Sequence, residues 1–176
     1  MHILLGLLAL LGAALFWYYR IRAAHDAANE VADTANDIRL TIRRLMNQGK
    51  YDVHPADSVD DARLAASGLI VAIATMDAPL SQNEINALSR NAQETFGVTE
   101  REALDIVSYG RWVAGECNSV DEGVRRLSRR IDKLAGPNAG PDTVRMIEEV
   151  ATADGNDLGE PELEALGTVR RILNVA

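Results

Sequence analysis

Two stretches decide how this chain is read: Ala74-Thr75-Met76-Asp77-Ala78-Pro79-Leu80-Ser81-Gln82-Asn83-Glu84 and Ala151-Thr152-Ala153-Asp154-Gly155-Asn156-Asp157-Leu158-Gly159-Glu160-Pro161-Glu162. Each follows an apolar run with helical spacing, turns at an aspartate, and restarts with a glutamate in what would be the first turn of a helix. Allowing one extra loop residue in the second copy, Leu80 pairs with Leu158, Glu84 with Glu162 and Leu88 with Leu166. A repeated unit of this kind is a helix–acidic turn–helix hairpin occurring twice.

Working outward, helix signals continue on both sides. Asp60 and Asp61 precede Leu64, Leu69, Ile70, Val71 and Ile73, a run apolar enough to lie centrally and to end near Met76. Ser81 and Glu84 have the spacing of a capping box, in which hydroxyl and carboxylate each satisfy the other's free amide. Ile85, Leu88, Ala92 and Phe96 follow on one face, and Gly97 stops the helix. Thr99 and Glu102 repeat the box before Leu104, Ile106, Val107 and Trp112, and Ser119 and Glu122 resemble a third. The helix after Ser119 carries Val124, Leu127, Ile131 and Leu134 inward, with Arg125, Arg126, Arg129, Arg130 and Lys133 on the opposite side. After the break at 136–141, Val144, Ile147 and Val150 mark one helix; Leu163, Leu166, Val169, Ile172 and Leu173 mark the last. No segment alternates with period two. The expectation is an all-α bundle of about six helices over residues 59–176.

The N-terminal region reads differently. Ile3 to Tyr19 holds no charge, and its seven leucines, Ile3 and Phe16 contribute on the order of −3 to −5 kcal/mol to bilayer insertion. A helix of that length spans about 25 Å, and Arg20 and Arg22 can snorkel to make up the thickness. Trp17, Tyr18 and Tyr19 stand where an interfacial belt belongs. A cleaved leader would need small residues after the apolar run, and aromatic residues and arginine follow instead. Residues 1–19 are therefore expected to be a transmembrane anchor. The two arginines place the following chain on the cytoplasmic side of the inner membrane.

Residues 20–48 contain no proline or glycine. Trp17, Ile21, Ala24, Ala28, Val31, Ala35, Ile38, Ile42 and Leu45 recur at alternating steps of four and three, the spacing of a helical stalk. Its apolar seam can lie on the chain's own domain or the membrane surface. It can also pair with a second copy, making a homodimer that begins at Ala9 and Ala13. Residues 49–58 read as a linker.

Composition narrows the function. A formal charge of −8 argues against general nucleic-acid binding, which needs cations to displace condensed counterions. Aromatics at 5% leave the core to leucine, isoleucine, valine and alanine. Cys117 is the only cysteine, so there is no disulfide framework, and His2, His25 and His54 lack zinc-hydrolase spacing. No Gly-rich phosphate loop occurs, and no catalytic constellation accompanies the repeat, so the chain reads as non-enzymatic.

The acidic turns are the candidate site. Asp77, Glu84, Asp154, Asp157 and Glu162 offer hard oxygens that suit Ca²⁺, Mg²⁺ or Mn²⁺ if the two hairpins pack face to face. The second turn is not an EF-hand, because Ala165 stands where the closing bidentate glutamate belongs. The plainer alternative keeps the aspartates as turn residues and the glutamates as first-turn carboxylates favoured by the helix dipole.

The segment Val71 to Asp77 with Leu80, Ser81 and Glu84, and the segment Val150 to Gly155 with Leu158 and Glu162, resemble the TerB-like family. That family is named for tellurite resistance and is also found beside J-domains in membrane-anchored co-chaperones of the DjlA type. The likeness runs from about Asp60 to the C-terminus. It implies a compact helical bundle with clustered acidic residues, and with it metal binding and membrane-associated stress responses. Asp77-Ala78 departs from the Asp-Gly expected in the first copy, and no J-domain is present. The resulting expectation is a membrane-anchored adaptor or sensor with a protein partner, possessing a cation site linked to envelope or metal stress. The alternative is an oligomerisation scaffold of a membrane complex without a ligand.

Overall fold

The computed structural model describes residues 40–45, 53–136 and 138–175, all within the unit that spans Asp37–Ala176. The anchor expected at residues 1–19 and most of the stalk lie outside the described residues. Seven helices follow one another: α1 (Pro55–Ser58), α2 (Ala62–Ala74), α3 (Gln82–Phe96), α4 (Glu100–Gly115), α5 (Val120–Ala135), α6 (Ala139–Ala151) and α7 (Glu160–Ile172). Residues 40–45 are also helical, and no strand occurs among the described residues. No described helix is long and apolar enough to cross a membrane.

Helix α2 is the axis of the bundle. Every residue from Leu64 to Ala74 is buried, with α4, α5 and α6 packed around it. Its crossing with α4 is built on glycine. A Cβ on Gly68 would lie 2.5 Å from Val113 Cγ1 of α4, and one on Gly110 of α4 would lie 2.3 Å from Ser67 Oγ. The Ser67 hydroxyl, buried in this crossing, donates to the Ile106 carbonyl at 3.0 Å.

The helix boundaries follow from the capping chemistry. In α3, Ser81 Oγ accepts the Glu84 amide and the Glu84 carboxylate accepts the Ser81 amide. Gly97 ends that helix in the left-handed region at φ 66°, a conformation that glycine adopts without a Cβ penalty. In α4, Thr99 and Glu102 form the same box. The third is only half formed. Ser119 Oγ accepts the Glu122 amide, but the Glu122 carboxylate takes the Asn118 amide and side chain instead of reaching Ser119.

Several inward assignments are corrected. Leu104, Leu134 and Leu163 are exposed. In α4 the buried face runs through Ala103, Ile106, Val107, Gly110 and Val113, and Leu104 lies about 60° beyond its edge at Val107. The stretch expected as a linker contributes to the domain at its C-terminal end, where Ala56 is completely buried, as is Val59 just beyond it. His54 caps α1 by accepting the Ala56 amide through Nδ1. The described end of the stalk packs on the domain itself, with Leu45 buried and Ile42 against the same core. Those two seam positions therefore serve this chain's own interior.

Candidate functional site: two crossed acidic turns

The repeat seen in the sequence is a repeat in bonding. Thr75 ends α2 and its hydroxyl donates to the Val71 carbonyl at 2.7 Å; Thr152 ends α6 and donates to the Glu148 carbonyl at 2.8 Å. Each hydroxyl adds a second hydrogen bond to a carbonyl that already takes the same threonine's amide. Leu80 and Leu158 both tuck against the core, and Leu88 and Leu166 are both buried. Glu84 accepts the Ser81 amide and Glu162 accepts the Gly159 amide, each at 2.7 Å. The turns differ where the second carries its extra residue. There Gly155 takes φ 81° and donates to the Thr152 carbonyl.

The two turns reach across to each other's hairpin. Asp154, from the second turn, accepts a hydrogen bond from Asn83 Nδ2 in the first turn of α3 at 2.8 Å. Asp77, from the first turn, lies at the start of α7. A Cβ on Gly159 would stand 3.4 Å from Asp77 Oδ2 and 3.7 Å from Glu162 Oε2. Gly159 is thus the gap through which an aspartate from one repeat approaches the N-terminus of the other repeat's second helix. Negative charge is favoured there by the helix dipole and by unpaired amides. Farther along, Arg145 of α6 donates to Asn91 Oδ1 and Thr95 Oγ1 of α3, tying the hairpins together along their length.

Of the expected ligands, Asp77, Asp154 and Asp157 are exposed, Glu84 is half-buried and Glu162 is buried. The structure brings Asp77 beside Glu162 and Asp154 beside α3. Among the described residues, no three His, Cys, Asp or Glu side chains are gathered closely enough to hold a metal ion as a ready cage. The donor chemistry fits a hard cation. Each glutamate keeps one oxygen beyond the one used for capping, and both aspartates are open to water. Mg²⁺ in particular is commonly held by one or two carboxylates with waters completing its shell. Asn83 and Gly159 escaped the sequence reading because aligning the repeats pairs Asn83 with Pro161 and Ser81 with Gly159, which makes both look incidental.

The remaining reactive groups are accounted for structurally. Cys117 is half-buried, and burial followed by the nearby Glu122 charge pushes its thiol pKa up, away from a reactive thiolate. Arg126 of α5 is paired with Asp57 of α1 and with Glu122 at 2.8 Å. Arg130 donates to the Val59 carbonyl. Two of the four arginines on this helix therefore hold α1 in place.

No curated protein and no solved structure gave a match to the chain. The family described as "Tellurite resistance protein TerB" matches residues 63–176, the span from the start of α2 to the C-terminus. The matched span contains both hairpins and all five candidate carboxylates, and on that match the chain belongs to the TerB family.

Proposed function

We propose that this TerB protein is a non-catalytic adaptor or sensor, tethered to the inner membrane with its domain in the cytoplasm, that takes a divalent cation between its crossed acidic turns. The reciprocal reach of Asp77 to the start of α7 and of Asp154 to Asn83 in α3 carries this reading. It sets carboxylates from two distant parts of the chain along one seam. Asp77 and Glu162 are the pair best placed to share an ion, with Asp154 and Glu84 on the same two turns and Asp157 exposed in the second. Oxygen-only donors favour Ca²⁺, Mg²⁺ or Mn²⁺ over zinc. A bound cation would relieve repulsion between carboxylates of the two hairpins and so couple ion level to the packing of α3 against α6. The tether is supported by the uncharged stretch from Ile3 to Tyr19 and its orientation by Arg20 and Arg22.

Calorimetry on the full chain in detergent, titrated separately with Ca²⁺, Mg²⁺, Mn²⁺ and Zn²⁺, tests the cation. Heat is expected with at least one of the first three, and Asp77→Asn combined with Asp154→Asn should abolish it. Absence of heat for every ion, or heat undiminished in the double variant, overturns the reading. The ligand-free scaffold remains the second reading, favoured by the fact that Glu84 and Glu162 already serve as helix caps.

A further inference from the structure

Helix α5 has a cationic stripe that its neighbours do not use. Arg126 and Arg130 point toward α1 and are bonded there. Arg125, Arg129 and Lys133 recur at every fourth residue, and all three are exposed with no ion pair among the described residues. Like charges at that spacing repel and destabilise a helix, so an anionic surface that neutralises them is favoured. A polar hollow of about 630 Å³ lies alongside, lined by Arg125, Arg126, Arg129 and Ser119 with Asp57 and Glu122. Both of those acids are bound to Arg126. Asp121 and Asp132 on α5 are exposed nearby, and Glu164 of α7 lines the neighbouring hollow with Asp121 and Arg125. The stripe is therefore bounded by acid on one side and faces outward at Arg129 and Lys133.

The bonded arginines beside the stripe connect to the described end of the stalk. Arg44 pairs with Asp60, the neighbouring Val59 carbonyl takes Arg130, and Asp57 takes Arg126. The described helix at residues 40–45 is thus linked through Asp60 to the joint that Arg126 and Arg130 make with α1. We propose that Arg125, Arg129 and Lys133 form a docking surface for a bilayer carrying anionic headgroups. This rests on the tether reading, which supplies the high local concentration of membrane that three cations need. Surface attraction decays within about 8 Å at physiological salt, so the stripe acts only in contact with the headgroups.

The test uses the full chain in phosphatidylcholine vesicles with and without phosphatidylglycerol. A nitroxide is placed at Leu134→Cys in a Cys117→Ser background, and its relaxation by nickel chelated to lipid headgroups is read. Relaxation is expected to be strong only with phosphatidylglycerol and to fade with added salt. Each cation removed should lower the docked-to-undocked ratio about fivefold, so Arg125→Gln, Arg129→Gln and Lys133→Gln together lower it roughly a hundredfold. Lysine at 125 and 129 should retain docking, and circular dichroism should show all variants folded. Relaxation that ignores phosphatidylglycerol, or survives the triple glutamine variant, overturns the proposal and leaves an acidic protein as the surface's partner. Flotation with vesicles of phosphatidylcholine alone reports the tether separately. If the chain does not float there, direct binding to phosphatidylglycerol vesicles decides the stripe: loss in the triple variant upholds it, and no binding removes it.

Discussion

Replacing Gly110 with alanine should destabilise the domain, although the same change in a free helix stabilises it. Alanine in a helix interior is worth about 1 kcal/mol over glycine. At Gly110 the added methyl would lie 2.3 Å from Ser67 Oγ and 2.9 Å from both the carbonyl carbon and oxygen of Ser67. The hydroxyl can rotate away at the cost of its bond to Ile106, but the backbone contacts yield only if α2 and α4 move apart. Overpacking of this kind costs about 1–3 kcal/mol, and two backbone clashes on the central helix put this site near the top of that range. The net loss is about 1–2 kcal/mol, or a fall in Tm of about 4–8 °C for a domain of this size. Gly167 in α7 is the control, since no atom would lie within 4 Å of its added methyl. Gly167→Ala should gain about 1 kcal/mol and raise Tm by about 4 °C. Thermal melts of the full chain followed by far-ultraviolet circular dichroism in one detergent measure both. A Gly110→Ala protein melting at or above the parent would refute the close crossing of α2 and α4.

Two further predictions concern the turns and the α1–α5 joint. Glu84→Ala removes half of the α3 capping box and should cost about 1 kcal/mol, with Glu84→Gln recovering most of it, because glutamine can still accept the Ser81 amide; chemical denaturation that ranks the two alike contradicts the bond. Glu122 has its carboxyl pKa pulled down to about 2 by hydrogen bonds from the Asn118 side chain, from Arg126 and from the Asn118 amide, against an ordinary 4.5. A depressed carboxylate stabilises fully above its unfolded value and loses that contribution as pH falls through its folded one. Stability should therefore decline between about pH 4.5 and 2 with a component that Glu122→Gln lacks, and parallel acid titrations of the two proteins would exclude this role.

The fold was legible because its punctuation is chemical. Ser81, Thr99 and the Asp77 and Asp154 turns mark helix ends by residue type, and the helices start and stop there. The family resemblance rested on the same hairpins and agrees with the matched span. What failed was orientation at the edges of apolar faces. Leu104, Leu134 and Leu163 look like core residues by composition, yet only a neighbour's position decides whether a leucine at a face's rim is covered. The role of Ala56 was hidden because a four-residue helix has no periodicity to read. At the candidate site, the face-to-face packing of hairpins was anticipated, whereas the partners across the seam were not. Asn83 and Gly159 matter through contacts separated by about seventy and eighty residues, and nothing local marks them.

The complete burial of α2 has a consequence for how the chain is made. Its eleven consecutive buried residues leave the ribosome well before the helices that cover them, since α4, α5 and α6 all follow in sequence. At about 5–20 residues per second, translation from the end of α2 to the end of α6 occupies roughly 4–15 s. For that interval the most thoroughly buried of the described helices lacks its full cover, and the nascent chain exposes an apolar surface that a holding factor could shield.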